Sequence, residues 1–225
     1  MDNTNVIASL VEELEAPQRT RGGENAFQSE RARLRTSPAP AGVLPPGSAF
    51  PDAVLLDPSG GETSLGAVTA GRPAVVVFYR GAWCPYCNIA LRVYQDALVA
   101  PLADRGIALV AISPQKPDGS MTMAEKHSLS YAVLSDAGNT IAAGLGILTR
   151  PTDDALELQR ENGLHLAEVN ADGTVALPMP TVALVDAGGV LRWIDVHPDY
   201  SSRTEPFEIL DAVDALRLGE GADRG

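Results

Sequence analysis

The chain uses cysteine only twice in 225 residues, and the two stand close together, as Cys84-Pro85-Tyr86-Cys87. Thiols at that spacing can help clip a metal, lock as a structural disulfide, or cycle between dithiol and disulfide. Zinc asks for four ligands, and His127, His165 and His197 offer no short spacing that would complete a site. No metal and no other cofactor is therefore expected. A structural staple suits an oxidising compartment. Here the N-terminus, Met-Asp-Asn-Thr-Asn, has no basic leader, and no run reaches the roughly 18 apolar residues of a spanning helix. These features lead us to expect a cytoplasmic protein, not embedded in a membrane, whose cysteines form a redox pair.

The flanking sequence supplies the elements that must position the thiols. Residues 74–79, Ala-Val-Val-Val-Phe-Tyr, form a continuous β-branched and aromatic run, the pattern of a strand buried on both faces. Helical periodicity takes over at Cys84 and continues to Leu102. Cys84 thus falls at a helix N-terminus, where unpaired N–H groups and the helix dipole favour a thiolate and lower its pKa. Pro85 suits the first turn, where its missing N–H would have had no partner. Cys87 lies within one helical turn, so a disulfide can close and reopen with little movement.

The remaining chain reads as α/β. An amphipathic helix is expected over 4–15, partial helix over 24–35, and a Pro- and Gly-rich linker up to residue 47. The main domain is expected at 48–218, followed by a flexible tail at 219–225. Within it we expect a hairpin over 53–65, strands at 107–112, 131–134, 182–185 and 190–196, and helices near 120–129, 137–145 and 151–162. Thr204 is expected to cap a final helix with Pro206 in its first turn. The formal net charge of −12 argues against nucleic acid as a partner. Arg19, Arg21, Arg31, Arg33 and Arg35 form a local exception, read as a solvated helix or linker face.

Strand, Trp83-Cys84-x-x-Cys87 and helix together resemble a thioredoxin fold, and Met179-Pro180-Thr181 resembles that fold's cis-proline loop. Phe78-Tyr79-Arg80-Gly81-Ala82-Trp83-Cys84-Pro85-Tyr86-Cys87 is similar to the peroxiredoxin signature F-Y-P-x-x-x-T-x-x-C. Ala111-Ile112-Ser113, Val133-Leu134-Ser135-Asp136 and residues 182–189 continue the likeness to the AhpC/TSA, peroxiredoxin-like family over about 47–217. The resemblance implies a three-layer sandwich on a central mixed β-sheet, with the N-terminal helix as an extension. Three positions depart from the signature. Arg80 replaces its proline, Cys84 its threonine, and Met179 an arginine that polarises peroxide; Arg80 is a candidate replacement cation.

The implied activity is thiol-based oxidoreduction by Cys84 and Cys87, with Arg80, Trp83, Pro85, Tyr86, Met179, Pro180 and Thr181 positioning the substrate. Two assignments of the nucleophile stay open. Thioredoxin logic makes an exposed Cys84 the attacker on a disulfide substrate. Peroxiredoxin logic makes Cys87 the attacker on a peroxide, with Cys84 capturing the sulfenic acid. Either cycle needs a thioredoxin-like protein or a low-molecular-weight thiol as reductant, and a homodimer is compatible with both. A redox-sensing binding module is the alternative outside enzymology.

Overall fold

In the computed structural model, residues 5–19, 25–117 and 128–222 are described. The expected helix at 120–129 and the candidate ligand His127 lie largely or wholly outside them. Strand β3, Ala74–Phe78, is fully buried, as its composition requires. It occupies the interior of a seven-stranded mixed sheet of order β2-β1-β5-β4-β3-β8-β9. The other strands are β1 (Leu55–Leu56), β2 (Glu62–Thr63), β4 (Ala108–Ser113), β5 (Ala132–Ser135), β8 (Thr181–Val185) and β9 (Leu191–Val196). A separate two-stranded ribbon joins β6, Leu148–Thr149, to β7, Leu177–Pro178. Strands β3, β4 and β5 run parallel, whereas β8 pairs antiparallel with β3 and β9 with β8.

Alternation along β3 divides the interior into two cores. Val75 and Val77 face a cluster with Leu91, Leu98, Ile209 and Val213, while Ala74, Val76 and Phe78 face one with Ile141, Leu145 and Leu191. The first cluster is covered by α1 (Val6–Arg19), α4 (Pro85–Asp104) and α8 (Pro206–Ala222). The second is covered by α3 (Leu65–Thr69) and α5 (Thr140–Gly144). Helix, sheet and helix make the expected three-layer sandwich of thioredoxin-like type. Three further helices are α2 (Ala26–Arg35), α6 (Asp153–Glu161) and α7 (Leu166–Val169).

The N-terminal extension enters the first core. Ile7 and Val11 are buried there, while Val6 and Leu10 stay exposed. The first turn of α1 is held by Glu205, whose carboxylate accepts from the Ile7 and Ala8 N–H groups at 3.0 and 2.8 Å. Those are two of the unpaired donors that every helix presents at its start. Helix α8 continues to Ala222, past the expected end at 218, so the stretch read as a tail begins as helix. Thr204 does not cap α8: its hydroxyl donates to Asp195 at 2.8 Å, and the Glu205 N–H is bound by Glu208 instead.

Candidate active site

Cys84 is the N-cap of α4, and Pro85 opens the helix as anticipated. The preceding loop is fixed from both sides. Gln115 accepts from the Ala82 N–H at 2.8 Å, and Asn88 donates to the Ala82 carbonyl at 3.2 Å. Gly81 has φ +148, and a Cβ there would collide with the Trp83 indole, so only glycine lets the ring lie against the loop. Both thiols are free and buried, Cys84 being 1% and Cys87 0% exposed. This corrects the expectation of an exposed Cys84, which belongs to the first buried cluster.

The two sulfurs sit in unlike surroundings. Burial opposes ionisation of Cys87, but four groups outweigh it. They are a hydrogen bond from Cys84, the guanidinium of Arg203, the Arg80 backbone N–H, and the Arg80 charge, and together they hold Cys87 well below the usual thiol range. Arg203 Nη2 lies 3.1 Å from Cys87 Sγ. Cys84 shifts the other way, because burial, its hydrogen bond to Cys87 and the neighbouring thiolate all favour its proton. The arrangement therefore presents a thiolate at Cys87 and a proton-bearing thiol at Cys84.

Arg203 was not foreseen from the sequence. Its Nη1 donates to the carbonyls of Tyr200 and Ser202, both at 2.6 Å, which turns Nη2 toward sulfur. The loop that carries it is pinned by His197, which bridges Ser202 at 2.7 Å and Asp195 at 2.9 Å. From below, the Tyr94 hydroxyl donates to the Thr204 carbonyl at 2.7 Å.

Arg80 is sandwiched between aromatic rings, its Cζ 5.1 Å from the Trp83 ring and 4.2 Å from that of Tyr200. Cation–π contacts of this kind attract a guanidinium to the face of an aromatic ring. Tyr86, between the cysteines in sequence, hydrogen-bonds Arg31 at 2.6 Å and Glu15 at 3.2 Å. Arg31 and Glu15 also form a close ion pair. Arg31 is thus buried in the site, which corrects its reading as part of a solvated basic face. Arg21 and the side chain of Arg19 lie outside the described residues.

A cavity of about 530 Å³ adjoins the motif, lined by Phe27, Arg31, Arg80, Trp83, Cys84, Pro85, Tyr86 and Tyr200 together with Gln159, Asn162, Gly163 and Leu164. Cys87 does not line it. Met179 and Pro180 are placed elsewhere, in a narrow cleft with Arg80 and Tyr200 in which neither thiol takes part. No peptide bond among the described residues is cis, so the expected cis-proline is corrected to trans. A proline followed by a strand needs only extended backbone before it, and the Pro180 carbonyl is already used by the His197 N–H at 2.9 Å. Thr181 is buried, its hydroxyl donating to the Met179 carbonyl at 2.9 Å.

A thioredoxin-like sandwich with paired thiols at the start of its central helix defines a class of thiol protein. Residues 46–194 match the AhpC/TSA family, and the chain belongs to that family. Peroxiredoxin Q of Sedum lineare is 30% identical over 123 residues, covering 55% of this chain and 64% of the relative. The matched segment is thus shorter than two thirds of that protein. Among solved structures, peroxidoxin BcpB from Mycobacterium tuberculosis superposes with TM-score 0.57 and 22% identity, over 76% of this chain and 96% of its own. A reduced peroxiredoxin from Vibrio vulnificus in complex with H2O2 does so with TM-score 0.60 and 18% identity, over 76% and 99%. At such identities the two structures speak for the fold.

Proposed function

We propose that the protein is a thiol peroxidase that reduces a hydroperoxide through Cys87 and Cys84. The observation that carries this reading is the unequal state of the two sulfurs, with Arg203 at 3.1 Å from Cys87. The Cys87 thiolate attacks one peroxide oxygen; the O–O bond breaks, and the departing alkoxide or hydroxide takes up a proton to leave as alcohol or water. Cys87 is now a sulfenic acid. The Cys84 thiol then gives up its proton, its sulfur bonds to Cys87, and water leaves. The product is the Cys84–Cys87 disulfide, which an external thiol must reduce.

Arg203 and Arg80 supply the cations that the Met179 position lacks. A guanidinium beside the reacting sulfur stabilises charge on the departing oxygen, an effect strongest in a dry site. The H2O2 complex of the Vibrio vulnificus peroxiredoxin supports the choice of oxidant for a chain of this fold. Disulfide exchange is the second reading, favoured by Cys84 being the sulfur that lines the cavity. Stopped-flow oxidation by hydrogen peroxide and by a mixed disulfide separates the two. Peroxide consumption with sulfenic acid trapped on Cys87 in Cys84→Ser, and none in Cys87→Ser, is the expected result. Reaction with disulfide alone, lost in Cys84→Ser, would replace the peroxidase with the reductase.

A further inference from the structure

The cavity of about 530 Å³ is lined by Cys84, the cysteine that the first half of the cycle does not attack with, and not by Cys87. Its volume falls within the range of small-molecule sites, about 300–1,000 Å³. Phe27 and Arg31 of the extension and the exposed Asn162 line it together with Cys84. The walls are aromatic but not inert. Arg80 makes no ion pair with a carboxylate among the described residues. Two other lining side chains each keep a buried polar atom without a partner: the donor Arg31 Nε and the acceptor Gln159 Oε1. A buried polar atom left unpaired costs about 1–3 kcal/mol, so these atoms gain from a ligand that small side-chain shifts bring into reach. Their complement is a molecule with carboxylate oxygens and an amide N–H.

We infer that this cavity receives the reductant, a low-molecular-weight thiol bearing a carboxylate and an amide, and that its sulfur attacks Cys84. The inference rests on the peroxidase cycle proposed above only for the origin of the disulfide. In the first step the reductant thiolate bonds to Cys84 Sγ and the Cys84–Cys87 bond breaks. Its electron pair leaves on Cys87, the sulfur beside Arg203 and the Arg80 N–H. Thiol–disulfide exchange is fastest when the leaving sulfur is the better-stabilised thiolate, which makes Cys84 the one to attack. In the second step another reductant thiolate attacks the bound reductant's sulfur, a symmetric small disulfide departs, and Cys84 regains a proton. Two thiols are oxidised and the protein disulfide is reduced.

The test starts from protein oxidised with diamide, so that it does not depend on peroxide. Quenched-flow thiol counts compare glutathione, which has carboxylates and amides, with cysteamine, a small cationic thiol, and with a reduced thioredoxin protein. Glutathione should act at least tenfold faster than cysteamine at equal thiolate concentration, and alkylation-quenched samples should carry glutathione on Cys84. Asn162→Trp, at an exposed position of the cavity wall, should slow glutathione at least tenfold. Equal rates for the two small thiols, a glutathione adduct on Cys87, or faster reduction by thioredoxin with no effect of the Asn162 substitution would each overturn the inference. Failure of peroxide to oxidise the thiols, with the glutathione results intact, would sink the peroxidase reading alone.

Discussion

Replacing Arg203 by methionine, which keeps the length of the side chain and removes its charge, should raise the pKa of Cys87. The guanidinium is 3.1 Å from the sulfur and is aimed by two backbone carbonyls. At that separation unit charges attract by about 5 kcal/mol for an effective dielectric of 20. Water entering the space left by truncation recovers part of this. A charge-assisted hydrogen bond is worth about 1.5–3 kcal/mol net. At 1.36 kcal/mol per unit, the midpoint should climb by about one to two units. It should not return to the free value, because a hydrogen-bond donor at position 84, the Arg80 N–H and the Arg80 charge remain. The measurement is thiolate absorbance against pH in a Cys84→Ser background, where the serine hydroxyl still donates to Cys87. Arg203→Lys should give an intermediate midpoint. A midpoint unmoved by Arg203→Met, or moved downward, would refute the assignment of the cation to this thiolate.

Three further outcomes follow from the same geometry. Because the Cys87 pKa is depressed, oxidation by peroxide should be level through neutral pH and fall only as acid carries the solution below that midpoint; a fall already beginning near an ordinary thiol pKa of about 8.5 would contradict it. Glu205→Gln weakens the hold on the Ile7 and Ala8 N–H groups, so amides of α1 should exchange about tenfold faster while those of β3 hold, as read by hydrogen exchange. Tyr94→Phe removes the hydroxyl under Thr204 and strands a carbonyl, with an expected loss of about 1–3 kcal/mol in denaturant unfolding and a smaller upward shift of the Cys87 midpoint.

What could be read from the sequence followed from local pattern. The Val75-Val76-Val77 run and the periodicity from Cys84 to Leu102 announce β3 and α4, because a doubly buried strand and a long helix each leave a regular imprint. The ribbon of β6 and β7 left none, being only Leu148–Thr149 against Leu177–Pro178. At the site, Cys84, Pro85, Cys87, Trp83 and Arg80 were legible as one contiguous motif. Arg203 was not, since its approach to Cys87 depends on Tyr94, His197 and Asp195 acting across more than a hundred residues of chain. Burial of Cys84 was equally hidden, for the cluster it joins gathers residues as distant as Ile7, Tyr200 and Ile209. Met179 and Pro180 misled because family likeness marks a position in the sheet, Phe78 opposite Thr181, and not the bond geometry beside it.

The sandwich of Trp83 and Tyr200 around Arg80 has a practical consequence. The chain has two tryptophans, and Trp83 is next to Cys84 in sequence, while Trp193 sits on β9. An indole held against a cation emits light that is sensitive to small changes in that contact, and an adjoining disulfide accepts excited-state electrons from it. The molecule thus carries its own optical gauge. Each turnover should dim and restore the Trp83 signal, giving a continuous, label-free trace of which oxidation state the thiols occupy.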